Sequence, residues 1–441
     1  MNSEIFIKEN PTKLFFKCAI PAVITSVFGA LYSVVDGVFV GRYLGENALA
    51  AINLMMPIIM IVEAVANMIA TGAAVNISLF LGKKERKEAS KVFSSSVRLI
   101  LVFSCIIGIL GFVFARPFVM LISPNASIEA IELSIKYLKV YSVFAPLIPI
   151  YFATDNYLRV CGKHRFSMAV NVGTQLLNVV LDFLFIVVFH MGVTSVAIAS
   201  CLSIVFGSLI TLISFTNRRM DIYYVKERIA IRQFVGIIAN GSSEFFSTIA
   251  ASVMSIVMNL FLLKYGGTTA VAAFSILMYV DSIIGMMNFG ICDSLQPAIS
   301  YCYGAGNVRR MKEIFMRVLM STIIVSIISF LFMLLAGPFV APLFIKESDT
   351  HLLDVSIVAI KIFSFSYFVG WTDMCFSSYF TALDKYGRSL IVSIFGTLVF
   401  PIIFLVILSS LFGLNGVWLT ASASGTASGI LTIILYKTMK L

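Results

Sequence analysis

Charge is what this 441-residue sequence has least of: Asp, Glu, Lys and Arg together make up 12% of it. A soluble chain of this length could not cover its surface with so few charges, so a water-soluble globular protein is excluded. Histidine occurs three times (His164, His190, His351), each at the end of an apolar run, which argues against a His-based metal centre. The seven cysteines (Cys18, Cys105, Cys161, Cys201, Cys292, Cys302, Cys375) are scattered and include no CxxC pair. Most lie inside apolar runs, so they read as small hydrophobes and not as disulfides or ligands. No P-loop lysine follows the glycines at 266–267 or 304–306, which makes these turns and not phosphate cradles. No polar stretch exceeds roughly 20 residues, so no separate soluble domain is expected.

Hydrophobic residues, by contrast, fill 59% of the chain, and the mean hydropathy is +0.99. Apolar runs lie near 14–41, 47–81, 92–121, 132–158, 166–189 and 193–216, then 233–263, 269–303, 311–336, 352–382, 387–411 and 414–437. Each is long enough to cross about 30 Å of hydrocarbon as a helix. Prolines 21, 57, 146, 149, 297 and 401 are the candidate kinks. The first run is too long for a signal peptide, carries Asp36 and lacks a small-residue cleavage pattern, so it reads as a retained helix. The expected fold class is all-α integral membrane, with twelve transmembrane helices.

The net charge of +10 invites a nucleic-acid partner, but its distribution points elsewhere. Basic residues gather in alternate loops, twenty-four of them against only Arg42, Arg116, Lys264 and Lys346 in the intervening ones. That asymmetry is the positive-inside signal of a multi-pass protein with both termini cytoplasmic, and no nucleic-acid partner is expected.

Sliding the second half back by 222 residues uncovers a repeat. Tyr43, Gly45 and Ala48 fall on Tyr265, Gly267 and Ala270; Gly82 falls on Gly304, Lys139 on Lys361, Tyr157 on Tyr379 and Lys163 on Lys385. Six helices per copy means both copies insert the same way up, giving two pseudo-symmetric six-helix bundles. The expected organisation is an N-terminal lobe over 1–216, a cytoplasmic loop over 217–232 and a C-terminal lobe over 233–441.

Carboxylates inside apolar runs are expensive and mark function by default. The first half carries Asp36, Glu63, Asp155 and Asp182; the second carries Glu244, Asp281, Asp293 and Asp373. Most have no basic residue at comparable depth, so each must be protonated, hold a cation or face water. Asp36 and Asp182 sit at matching depth in the outer half of one bundle. Asp155 and Asp293 lie nearer the cytoplasmic ends, where Asp155 can meet Arg159, and they favour a structural reading. Under the 222-residue offset none of Asp36, Glu63, Asp182, Glu244, Asp281 and Asp373 finds an acidic mate: Asp36 falls on Met258, Glu63 on Gly285, Asp182 on Phe404 and Asp373 on Tyr151.

Several motifs resemble the MATE family, the multidrug and toxic compound extrusion antiporters. Residues 293–307 read D-S-L-Q-P-A-I-S-Y-C-Y-G-A-G-N, similar to that family's D-G-x-Q-P run ending in Y-G-A-G-N. Residues 36–45 resemble its helix-1 end, Asn178 to Asp182 its N-x-x-x-D pattern, and residues 197–200 its helix-6 small-residue motif. The resemblance implies a MATE-like fold in which Asp36, Asn178, Asp182 and Ser200 form an N-lobe ion or proton site. It also implies a C-lobe cation or substrate site, for which Glu244 and Asp373 occupy similar places and Asp281 is a further candidate, and a helix-1 kink at Pro21. The implied activity is export of organic, cationic or amphipathic compounds in exchange for H⁺ or Na⁺ by rocking-bundle alternating access. No cofactor, and no metal beyond Na⁺ at the acidic sites, is implied; the partners are small organic cations and membrane lipids. A monomer in the cytoplasmic (inner) membrane of the cell is expected. The sequence departs from the family at Ser294 and Asp384, where Gly is usual, and at 240–244, which lacks the usual Gly-x-Pro. The alternatives are a lipid-linked precursor flippase, disfavoured by the absence of a buried arginine cluster, and an ion channel, disfavoured by the absence of a filter loop. No nucleophile or His/Cys cluster supports an enzyme.

Overall fold

The computed structural model describes residues 2–122, 127–216, 220–227, 229–340, 342 and 350–439. Arg218, Arg219, Arg228, Lys346 and Lys440, counted above for the charge asymmetry, lie outside the described residues. Within them the chain is helical, and twelve apolar helices follow one another. They are α1 (Pro11–Phe39), α2 (Glu46–Gly82), α3 (Arg86–Val113), α4 (Ile128–Phe144 with Ile148–Val160), α5 (His164–Asp182) and α6 (Thr194–Thr216). The second set is α7 and α8 (231–266 and 268–304), α9 (Val308–Val340), α10 (Thr350–Ala382), α11 (Tyr386–Phe412) and α12 (Leu414–Lys437). On α3 and α9 the outward side chains Ile106, Ile109 and Val113, and Ile324, Ile328 and Leu335, are each more than half exposed, as a lipid-facing stripe requires.

The breaks have local causes. Pro146 and Pro149 remove backbone donors, and α4 bends there by 50°. The chain turns between α7 and α8 at Gly267, whose φ of 62° and ψ of −158° no helix contains. Pro401 cannot donate to the preceding turn, and α11 carries a π-type turn over Phe395–Val399 just before it. The run expected at 92–121 is instead split: α3 starts at Arg86, because the charged turn ahead of the membrane is also helical, and stops before a short helix, Ala115–Ile122.

Left-handed backbone supports the duplication independently of side chains. Gly45, Lys84 and Gly162 have positive φ, and so do their repeat mates Gly267, Gly306 and Asp384. The remaining two, His190 and Gly413, occupy the same turn of each half, one residue off register. Asp384 therefore stands at φ 57° where its mate Gly162 is glycine, the residue this left-handed conformation favours.

Packing divides the chain into two compact units: Met1–Asn10, Ile20–Gly241 and Ser300–Gly306 in the first, Pro11–Ala19, Ser242–Ile299 and Asn307–Leu441 in the second. The core of the first gathers Met55, Leu138, Ile148, Ile186, Val196 and Cys201. That of the second gathers Leu262, Leu277, Met333, Ile360, Leu405 and Trp418. None of the seven cysteines is in a disulfide, and six are buried. Inside the first unit α2 and α7 meet backbone to backbone. A Cβ on Gly72 would lie 2.0 Å from the Ile237 carbonyl oxygen, and one on Gly241 would lie 1.8 Å from that of Met68. Both pairs are one helical turn apart, so the glycines are what permits the approach.

Candidate functional site

In the first unit α1 and α5 bring Asp36 and Asp182 together. The two carboxyl groups lie close enough to act directly on each other, and Asp182 is fully buried. No donor from the described residues reaches Asp36 Oδ1 or Asp182 Oδ1. The second oxygen of Asp182 is held from one turn back on α5. With its amide oriented to satisfy both neighbours, Asn178 donates Nδ2 to Asp182 Oδ2 at 2.8 Å and accepts from Ser200 N and Oγ, each at 3.1 Å. Two carboxylates in contact repel unless a proton or a cation sits between them, so this arrangement is built to take up one positive charge. All four residues anticipated here meet at one place.

A fifth was missed. Tyr32 interacts with Ser200 and lies in the electrostatic reach of Asp36, Asp182 and Glu63. It precedes Asp36 by four residues on α1, so the same-face rule would have found it. Among the described residues no three His, Cys, Asp or Glu side chains converge as a divalent-metal site requires.

The second unit holds a cavity of about 520 Å³ between α7, α8, α9, α10, α11 and α12. Both Asp281 and Asp373 line it, with Met254, Met258, Phe274 and Trp371 among the apolar walls. Asp281 accepts from the Tyr367 hydroxyl at 2.7 Å. Asp373 accepts from Ser428 Oγ at 2.6 Å, in space kept open by Gly396, where a Cβ would lie 2.4 Å from Asp373 Oδ2. Asn288 Oδ1 and Ser326 Oγ, also on the lining, are buried with no hydrogen-bond partner among the described residues. Met258 and Gly285, the repeat mates of Asp36 and Glu63, line the same cavity. The two halves thus put equivalent positions at their polar centres and fill them with different chemistry.

Glu244 does not join that cavity lining; it interacts electrostatically with Asp293 across α7 and α8. Counting residues along a helix gives depth but not facing direction, which is why it was grouped with Asp281 and Asp373. Asp155 pairs with Arg159 at 3.5 Å and accepts from Asn171 Nδ2 at 2.7 Å and from Ser167 Oγ. It is a satisfied structural carboxylate. Pro21 lies inside α1, and Thr25 Oγ1 donates to its carbonyl at 2.9 Å.

Comparison with known proteins places the fold and the family. A family model described as MatE matches residues 21–184 and, a second time, residues 245–407. Multidrug export protein MepA of Staphylococcus haemolyticus is 25% identical over 430 residues, covering 96% of this chain and 93% of that protein. MepA of Staphylococcus aureus (strain MSSA476) is 24% identical over 436 residues, 98% and 95% of the two chains. Among solved structures, one of MATE in complex with MaD3S superposes with a TM-score of 0.92 at 24% identity, covering 99% and 98%. A MOP superfamily transporter from Pyrococcus furiosus, described as having a binding pocket of reverse polarity, superposes with a TM-score of 0.90 at 25% identity, covering 99% and 97%.

Proposed function

This chain belongs to the MatE family of multi-pass membrane transporters, and on that premise we propose that it exports organic cations in exchange for H⁺ or Na⁺. The observation that carries the reading is the contact of Asp36 with Asp182, supported by Asn178 and Ser200. Loading that pair with a proton or Na⁺ turns repulsion between α1 and α5 into attraction. Pro21 leaves α1 one hydrogen bond short, so the helix can bend in response at low cost. A change in the helix packing biases the two-state equilibrium of alternating access, because the ion binds one state better than the other.

Substrate charge follows from the C-terminal cavity. The Pyrococcus transporter is described as having a binding pocket of reverse polarity, so the sign has to be taken from this chain's own lining. Its two charged residues, Asp281 and Asp373, are both acidic, and the walls are methionine and aromatic. A cavity of about 520 Å³ fits a drug-sized molecule, and this one favours an amphipathic cation through charge and cation–π contacts. A precursor flippase with an anionic cargo would need the opposite lining. The protein acts as a monomer in the cell membrane, its termini in the cytoplasm.

The test is dye export from proteoliposomes under separately imposed pH and Na⁺ gradients. Asp36→Asn is expected to lower ion-driven export on the order of a hundredfold while the protein still inserts and binds dye. Unchanged export by that variant would sink the reading; the gradient that drives the parent identifies the ion.

A further inference from the structure

The segment ahead of α1 is built into the first unit. Asn2–Glu4 and Ile5–Lys8 form two short helical turns. Asp221, 3% exposed, accepts the backbone N–H of Asn2 at 3.0 Å and of Ser3 at 2.6 Å, so a carboxylate sits at the positive end of the first turn. Phe6 is fully buried. Its ring meets His164 edge-on at 6.1 Å and Tyr301 at 5.6 Å, and its carbonyl accepts from Cys302 Sγ at 3.7 Å. His164 opens α5, whereas Tyr301 and Cys302 belong to the last turns of α8. The residue that pins the arm is itself tied down. Arg86 on α3 donates to the Asp221 carbonyl at 2.7 Å, and Ser94 Oγ accepts from Val225 N at 2.8 Å. Arg98 donates to the carbonyls of Lys226 and Glu227 at 3.0 and 2.8 Å.

An arm with one aromatic seated between α5 and α8 joins elements from opposite halves of the repeat. We propose that residues 2–8 are a latch: Phe6 holds the end of α8 against the start of α5, and it must unseat before the pathway opens to the cytoplasm. This rests on the alternating-access reading and on the cytoplasmic placement of the arm. The strap at 220–227, bonded along α3, fixes Asp221 so that the latch reseats in one register.

Cys302 is fully buried against the latch and reports on it directly. With the other six cysteines replaced by alanine, Cys302 labelling by a membrane-impermeant maleimide is measured in inside-out vesicles. Removing a buried aromatic ring weakens local closure about a hundredfold, so Phe6→Ala is expected to accelerate labelling by about that factor, with Phe6→Leu restoring most of the protection. A Phe6→Ala rate within about twofold of the parent would overturn the proposal. A second variant does not depend on weakening the fold. Phe6→Cys puts a second thiol on the residue whose carbonyl meets Cys302 Sγ; once oxidation has joined the two, export should stop, and reductant should restore it. Export by the cross-linked protein at the reduced rate would equally overturn the latch. The maleimide readout needs no substrate, so it scores the latch even where the parent exports no dye, and that failure would count against the transport reading alone.

Discussion

Gly396→Ala is a small change with a calculable effect on the C-terminal cavity. The added Cβ would lie 2.4 Å from Asp373 Oδ2 and 2.7 Å from Ser428 Oγ, where ordinary contact begins at 3.4 Å. The carboxylate must therefore withdraw by about 1 Å, which its 2.6 Å hydrogen bond from Ser428 cannot follow. Losing a hydrogen bond to a charged group costs about 1.5–3 kcal/mol, and a displaced carboxylate no longer faces the cation it was placed for. Apparent affinity for a cationic dye should fall between about tenfold and a hundredfold. The chain has two tryptophans. Trp371 lines the cavity, while Trp418 is buried and is removed as Trp418→Phe for the assay. Quenching of Trp371 by dye then gives the affinity without any gradient. Asp373→Asn, alone and combined with Gly396→Ala, should be non-additive, since both act through one carboxylate. Parent-like quenching in Gly396→Ala, or full additivity, would refute the reasoning.

Three other outcomes are expected. Gly241→Ala sets a Cβ 1.8 Å from the Met68 carbonyl oxygen, a clash that no side-chain rotation relieves. It should destabilise by about 1–3 kcal/mol or more, seen as a lower melting temperature in detergent, and a parent-like melt would contradict the backbone contact. Lys84→Gly replaces a residue at φ 64° with the type its repeat mate uses; a gain of roughly 1 kcal/mol in thermal stability is expected, and a loss would count against it. Glu227 bridges Lys87 at 2.8 Å and Lys91 at 3.0 Å, and its hydrogen bond with Lys87, then that with Lys91, lowers its pKa. A depressed carboxylate contributes above its unfolded pKa and loses that contribution as pH falls through the folded one. Amide protection of the strap should therefore drop below the ordinary carboxylate range in the parent, and stay flat with pH in Glu227→Gln.

Much of this was legible in the sequence because its causes are local. Twelve apolar runs, the proline bend in α4 and the glycine turn at 267 depend on residues within a few positions of the feature they produce. Asp36 and Asp182 were legible through their matching depth, Asn178 and Ser200 only through the resemblance to the MATE family, and Tyr32 through a four-residue interval left unused. What stayed hidden is tertiary. Tyr367 finds Asp281 across 86 positions, and Asp221 caps a segment 219 positions away; no periodicity encodes either. Glu244 shows the limit from the other side. Its depth was readable, yet which neighbour it would face depended on how α7 is rotated.

The matched left-handed joints have a consequence beyond confirming descent from one copy. Gly45 and Gly267, Lys84 and Gly306, and Gly162 and Asp384 cut each half into rods of the same length. A rod whose ends are fixed can change side chains on the faces that meet no close-packed neighbour while its ends hold their place. The protein could thus lose a carboxylate from one half and gain it in the other while its corners stayed in place. Rods exchanged between halves, joint to joint, should fold as chimaeras whose cavities trade polarity.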